Sequence, residues 1–180
     1  MKVIKFVLFI FLAISVSCKE ESTKDMPQAE ISVTTFYLIR HAEKIRSNPE
    51  DSDPELSQKG LGRAMHWAEI LDQVDLDAIY STNFNRTSMT AAPTSVKKNI
   101  DVQYYDPRII DIAQFKADNL NKNVLIVGHS NTTPEFVNLL IGEDKYTDID
   151  DSENGTLFIV QIVNGVSTVN KLLFNCNCPD

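Results

Sequence analysis

Two histidines and two arginines stand where apolar runs give out. Arg40 and His41 close the run 33–40 (VTTFYLIR), and His129 follows 124–127 (VLIV) after a single glycine. Arg86 comes shortly after a third run, 77–81, close to where a helix can start. A neutral imidazole is a competent nucleophile near neutral pH. Guanidinium groups grip oxyanions through a rigid fork of N–H donors. Brought together, these side chains would make a small cationic pocket whose natural ligand is a phosphoryl group. That requires a fold that carries His41 and His129, far apart in sequence, to one edge.

The elements that must do this alternate. Residues 33–40 are apolar and β-branched and read as a buried strand. Residues 43–55, with Pro49 and Pro54, read as a loop. Ser57 can cap a helix to about residue 71, with Leu61, Ala64, Met65, Ala68 and Leu71 as its apolar stripe. His66 falls off that stripe and reads as solvent-facing. A second strand at 77–81 leads into a helix over about 83–98, bent at Pro93. A third strand, 100–105, precedes a helix starting at Pro107 and running to about 121. The continuous apolar run 124–127 suits a central parallel strand. Residues 132–141 form a helix with Thr132 and Glu135 as a capping box and Gly142 as its stop. Residues 156–163 and 166–174 flank Asn164-Gly165, a strong hairpin turn.

This alternation predicts an α/β fold: a layered αβα sandwich around a mainly parallel, mixed sheet of about six strands, with a C-terminal β-hairpin. In such open sheets ligands bind at the carboxyl ends of the strands. Adjacent helix N-termini add unpaired N–H groups there. Arg40, His41, Arg86 and His129 all belong to that edge, and Ser130 and Asn131 follow His129 into the helix start.

With 180 residues, 43% hydrophobic and 23% charged, the chain is long enough for one domain with a real core. A formal net charge of −8 gives no basic stripe for nucleic acid. Residues 143–153 carry six acids in eleven positions. Asp148 and Asp150 fit the first positions of a calcium loop, but Glu153 stands where glycine is required, so the segment reads as a solvated loop. Cys176 and Cys178 alone are too few ligands for zinc and read as a frayed tail, residues 176–180, or as a bridge.

The N-terminus reads as an export signal. Lys2 and Lys5 precede an unbroken apolar run, 6–14, too short to span a bilayer. Ser15 and Ser17 suit ordinary cleavage before Cys18, and a cysteine at that place also resembles the lipobox of bacterial lipoproteins, although Ser15 stands where leucine is usual. The expectation is a signal peptide over 1–17, a lipidated Cys18 and a polar tether over 18–32. The protein would then be exported, periplasmic or at the cell surface, and held to a membrane by its lipid. Loss of residues 1–17 removes two lysines and no acids, so the remainder is more acidic still.

Four segments then carry a resemblance. LIRHAEK (38–44) resembles the Arg-His-Gly signature of the histidine phosphatase superfamily, also called phosphoglycerate mutase-like. LSQKGLGRA (56–64), YSTNFNRTSMTAA (80–92) and VLIVGHSN (124–131) are similar to its further motifs, in its order. The resemblance implies a catalytic domain over 33–175. It makes His41 the nucleophile that forms a phosphohistidine, with Arg40, Arg86 and a protonated His129 gripping the phosphoryl oxygens. It also implies hydrolysis of a small phosphorylated substrate without metal or cofactor. Glu43, Ser130 and Asn131 join the binding set.

Two departures stand out. Ala42 replaces the signature glycine, which would crowd the pocket slightly. The general acid is open between Asp106, nearer the strand end, and Asp111, which fits the family spacing better; Glu43 is a third candidate. The alternatives to a phosphomonoester hydrolase are a non-catalytic phosphate-binding lipoprotein and a dedicated phosphohistidine protein phosphatase. The domain has no room for large cap insertions, and mutase activity is disfavoured.

Overall fold

The computed structural model describes residues 31–176 and 178. The expected signal segment, the lipidation site Cys18 and the tether up to residue 30 lie outside the described residues. The elements are, in chain order, β1 (Val33–Arg40), α1 (Gln58–Ile70), β2 (Ala78–Thr82), α2 (Asn85–Lys98), β3 (Val102–Tyr105), α3 (Ile112–Asp118), β4 (Asn123–Gly128), α4 (Thr132–Ile141), β5 (Thr156–Val163) and β6 (Val166–Leu173).

One six-stranded sheet orders them β3-β2-β4-β1-β5-β6. β1, β2, β3 and β4 are parallel, and β5 and β6 are antiparallel to their neighbours. β1 and β4 lie in the middle, which is why both are apolar along almost their whole length. Successive residues point to opposite faces, so the sheet has two cores. Phe36, Leu38, Val124 and Ile126 pack under Phe115 of α3 and Phe136, Val137 and Leu140 of α4. Ile39, Leu125, Val127 and Ile79 pack under Trp67 and Leu71, from α1 and its C-cap, and Ala91 of α2. The result is the expected αβα sandwich. Asn164 and Gly165 both have positive φ, 50° and 83°, as a tight β5–β6 hairpin turn requires.

Several expectations are corrected. In α1, Leu61 and Met65 are exposed, and the buried face is Gly60, Arg63, Ala64, Trp67 and Ala68. Two contacts set this rotation. Trp67 meets Phe174 edge-on at 5.7 Å, burying the largest apolar side chain of the helix. Gly60 lies so close to the backbone of Glu43 that any Cβ there would overlap the Glu43 carbonyl. The cap at Ser57 is as expected, its hydroxyl accepting from the Gly60 N–H at 3.2 Å.

The third helix begins at Ile112, not at Pro107. Asp106 accepts from the Arg108 N–H and closes a turn first, and Asp111 then caps α3 by accepting from Ala113 and Gln114. Thr132 is not the cap of α4: it is the first helical residue, and its hydroxyl accepts from the His129 N–H at 3.1 Å. Gly142 ends α4 in the left-handed conformation, as expected. The acidic segment 143–153 is not simply solvated. Ile149 is buried and donates its N–H to Ser130 O at 2.8 Å, and the following residues reach Arg40. Cys176 and Cys178 are paired as a disulfide beside Gly62 of α1.

Candidate active site

The register of two strands places the first half of the site. In the parallel β1–β4 pair Arg40 stands opposite Gly128, so His41 and His129 leave the sheet side by side. The His41 N–H extends the ladder to Gly128 O at 2.9 Å. The two imidazoles meet edge to face with centroids 5.6 Å apart. β2 lies on the other side of β4 and delivers Thr82, after which the chain turns through Asn83 and Phe84 into α2 and Arg86. Arg40, His41, Arg86, His129, Ser130 and Asn131 thus line one open cavity of about 790 Å³.

His41 is held in one tautomer. Its Nδ1 lies 2.7 Å from Ala42 O, and a carbonyl can only accept, so Nδ1 carries the proton and Nε2 keeps its lone pair. The loop around it is pinned from two sides. The Ala42 N–H donates to Thr90 Oγ1 at 2.9 Å, Thr90 in turn donates to Arg86 O, and Asn154 Nδ2 donates to His41 O at 3.0 Å. The Ala42 methyl does not crowd the cavity as expected. It is fully buried in a separate apolar cluster with Leu56 and Ala64.

His129 is held by a hydroxyl relay. Thr87 gives its proton to a backbone carbonyl, and Thr82 gives its own to Thr87 Oγ1 at 3.0 Å. Thr82 Oγ1 is therefore left to accept from His129 Nε2 at 2.9 Å. The ring of Phe84 meets His129 edge-on at 5.0 Å and carries the Arg86 guanidinium over its face at 4.4 Å.

Arg40 is the most deeply placed charge, 1% exposed. Its Nη1 donates to Asp150 O at 2.8 Å and Glu153 O at 3.1 Å, and its Nη2 pairs with Asp151 at 2.6 Å. Its Nε is buried with no partner, and that orphaned donor suits a phosphoryl oxygen. Arg86 is half-buried and pairs with Asp53 at 3.3 Å. Burial lowers its pKa, opposed by Asp53 and Asp51.

The candidates for the acid separate. Asp106 lines the cavity, but both its oxygens are held by Arg108, at 2.9 and 2.6 Å. That pairing lowers its pKa to about 2, so it is a carboxylate with no proton to give. Asp111 is spent capping α3 and is not among the cavity residues. Glu43 is turned away from the cavity and grips Arg63 of α1 through both oxygens, at 3.0, 2.9 and 2.7 Å. Burial alone would raise its pKa; the bonds and charge of Arg63 overcome this and hold it low. Its expected substrate contact is corrected to a structural ion pair. His66 is partly exposed on α1, 3.8 Å from Glu69. Among the described residues no cluster of histidine, cysteine or acidic side chains could hold a metal.

Sequence reading missed Asp151, Asp53, Thr82, Phe84 and Arg108. Thr82, Asn83 and Phe84 follow the second strand directly, so the strand-end rule that found Arg86 could have found them. The two aspartates carry no local signal, since their partners are distant in sequence.

An αβα sandwich with two histidines and two arginines converging at parallel strand ends defines the class of domain. Residues 36–113, under half of the chain, match the model of the histidine phosphatase superfamily (branch 1). Phosphoserine phosphatase 1 of Hydrogenobacter thermophilus is 40% identical over 82 residues, 43% of this chain and 38% of that protein, so the match spans well under half of that relative. Among solved structures, the protein histidine phosphatase SixA complexed with tungstate aligns at TM-score 0.61 and 16% identity, covering 77% of this chain and 96% of that one. Phosphoglycerate mutase of Bacillus anthracis aligns at TM-score 0.59 and 15% identity, covering 78% and 92%. Mycobacterial glucosyl-3-phosphoglycerate phosphatase with inorganic phosphate aligns at 0.58 and 14%, covering 79% and 97%. These structural likenesses establish the fold.

Both site histidines are neutral in the unliganded cavity. Burial first, then Arg40, His129 and Arg86, lower His41 to about 3 against its bond to Ala42 O. Burial, then Arg86, Arg40 and Lys44, lower His129 to about 4. Without a bound anion the cavity's own cations oppose a proton on His129. In the unfolded chain both would bind protons below about 6.5, so folding stability is full above that pH and is lost as pH falls toward 4. Imidazole ¹⁵N spectra should show both rings neutral at pH 5.5, with inorganic phosphate raising the pKa of His129. Half-protonation of either ring at pH 6 without phosphate would contradict this.

Proposed function

We propose that the protein is a metal-independent phosphatase acting on phosphomonoesters or related phosphoryl compounds. One observation carries the reading: the Nδ1–H bond of His41 to Ala42 O leaves Nε2 as a free base in a cavity lined by Arg40, Arg86 and His129. The Nε2 lone pair attacks phosphorus, the bond to the leaving oxygen breaks, and its electron pair departs on that oxygen. Water then attacks the phosphohistidine in line, and the P–N electron pair returns to Nε2. The arginines stabilise the charge on the equatorial oxygens in both steps. His129, once protonated beside a bound dianion, adds to them.

The proton for the leaving group is the weak point of this site. Asp106 is held ionised and Asp111 caps a helix, so the leaving oxygen takes its proton from water in the open cavity. Such a site favours leaving groups of low basicity. This also favours the second reading, a phosphohistidine protein phosphatase, since imidazole departs more readily than a sugar alkoxide.

We propose further that residues 1–17 direct export and that Cys18 carries a lipid. The supporting features are the charged start, the short apolar run and the cysteine at its end. Metabolic fatty-acid labelling should mark the wild type and spare Cys18→Ser; equal labelling of the two would contradict the anchor.

Turnover of p-nitrophenyl phosphate and of a phosphohistidine peptide tests the catalytic reading. His41→Ala should lose at least about 10³-fold in kcat, and Arg40→Ala or Arg86→Ala about 10²-fold or more. Asp111→Asn should stay within about threefold on the aryl ester, because its carboxylate never meets the cavity. Unchanged activity in His41→Ala, or an Asp111→Asn loss as large as that of His41→Ala, would overturn the assignment.

A further inference from the structure

Each arginine of the cavity is already held by its own aspartate. Asp151 lies 2.6 Å from Arg40, Asp53 lies 3.3 Å from Arg86, and Asp106 clasps Arg108 through both oxygens. Asp106 and Asp151 are themselves part of the cavity wall. Both stay anionic: Arg108 holds the first at about 2, and Arg46 with Arg40 holds the second at about 2. Among the described residues, Lys44 is the one lining cation with no carboxylate partner.

This pairing has a directional consequence. A single phosphoryl group in the cavity meets the Arg40 and Arg86 guanidinium groups and the two histidines. A second anionic group a few ångströms further out meets carboxylates beside almost every positive charge. The exposed rings of Phe84 and Tyr104 also belong to the lining. Charge repulsion in a partly enclosed cavity is stronger than in bulk water, and placing like charge against a ligand is a way of rejecting it.

We propose that this pocket selects phosphomonoesters whose leaving group is uncharged or cationic and rejects phosphoanhydrides and bisphosphates. Asp106 and Asp151 are the specificity-determining residues. The proposal rests on the reading of this cavity as a phosphoryl site, and it narrows the substrate class within that reading.

Calorimetric binding of inorganic phosphate and of pyrophosphate, at one pH and one salt concentration, tests it without requiring turnover. The wild type should bind phosphate at least about tenfold more tightly than pyrophosphate. The near-isosteric variants Asp106→Asn and Asp151→Asn should each narrow that ratio by about fivefold. Pyrophosphate bound as tightly as phosphate by the wild type, binding of neither ion, or a ratio unchanged in both variants would overturn the proposal. The phosphate preference without hydrolysis of any monoester would sink the catalytic reading and leave this one standing. Hydrolysis without the preference would do the reverse.

Discussion

A guanidinium sits in the interior at the end of the central strand, and its burial constrains much of what surrounds it. Removing a charge from water costs several kcal/mol unless paired and hydrogen-bonded. Arg40 meets that condition through the segment 150–153, which brings two backbone carbonyls and the Asp151 carboxylate to its Nη atoms. That same segment leads directly to Asn154, whose amide holds His41 O, and then into β5, which pairs with β1. The strand that leads to His41 and the loop that neutralises Arg40 are therefore fixed by one set of bonds. Nε and one hydrogen of Nη2 are the Arg40 donors left over.

The electrostatics follow from that placement. An acidic chain concentrates a few cations in one cavity, so its net charge of −8 says little about that site. The concentrated cations depress the pKa values of both imidazoles, which burial has already lowered. Both His41 and His129 are thereby kept unprotonated near neutral pH. Asp151, Asp53 and Asp106 each hold one of the arginines of the cavity in place.

What the sequence disclosed and what it hid divide along a physical line. β1 and its terminal Arg40-His41 were legible because a continuous β-branched run and its end are local facts. The same holds for His129 after β4, for Arg86 after β2 and for the Asn164-Gly165 turn. Glu43 looked like a site residue because it is two positions from His41, yet Arg63 of α1 captures it. Asp111 looked like an acid by spacing, yet the backbone of α3 claims its carboxylate. The face of α1 was misread because Trp67 and the close approach of Gly60 to Glu43, both tertiary contacts, outrank the Leu61–Met65 stripe. Asp151 was hidden for the same reason: its partner Arg40 lies at the far end of the domain's sequence.

The central claim is that Nε2 of His41 takes the phosphoryl group. It is tested most directly by quenching the protein during turnover of a phosphoryl donor, under alkaline conditions that preserve phosphohistidine, and mapping the modified peptide and ring nitrogen. The account predicts one phosphoryl group, on Nε2 of His41, absent from His41→Ala. A phosphoryl group on another residue, or turnover with no His41 adduct at any time, would contradict it.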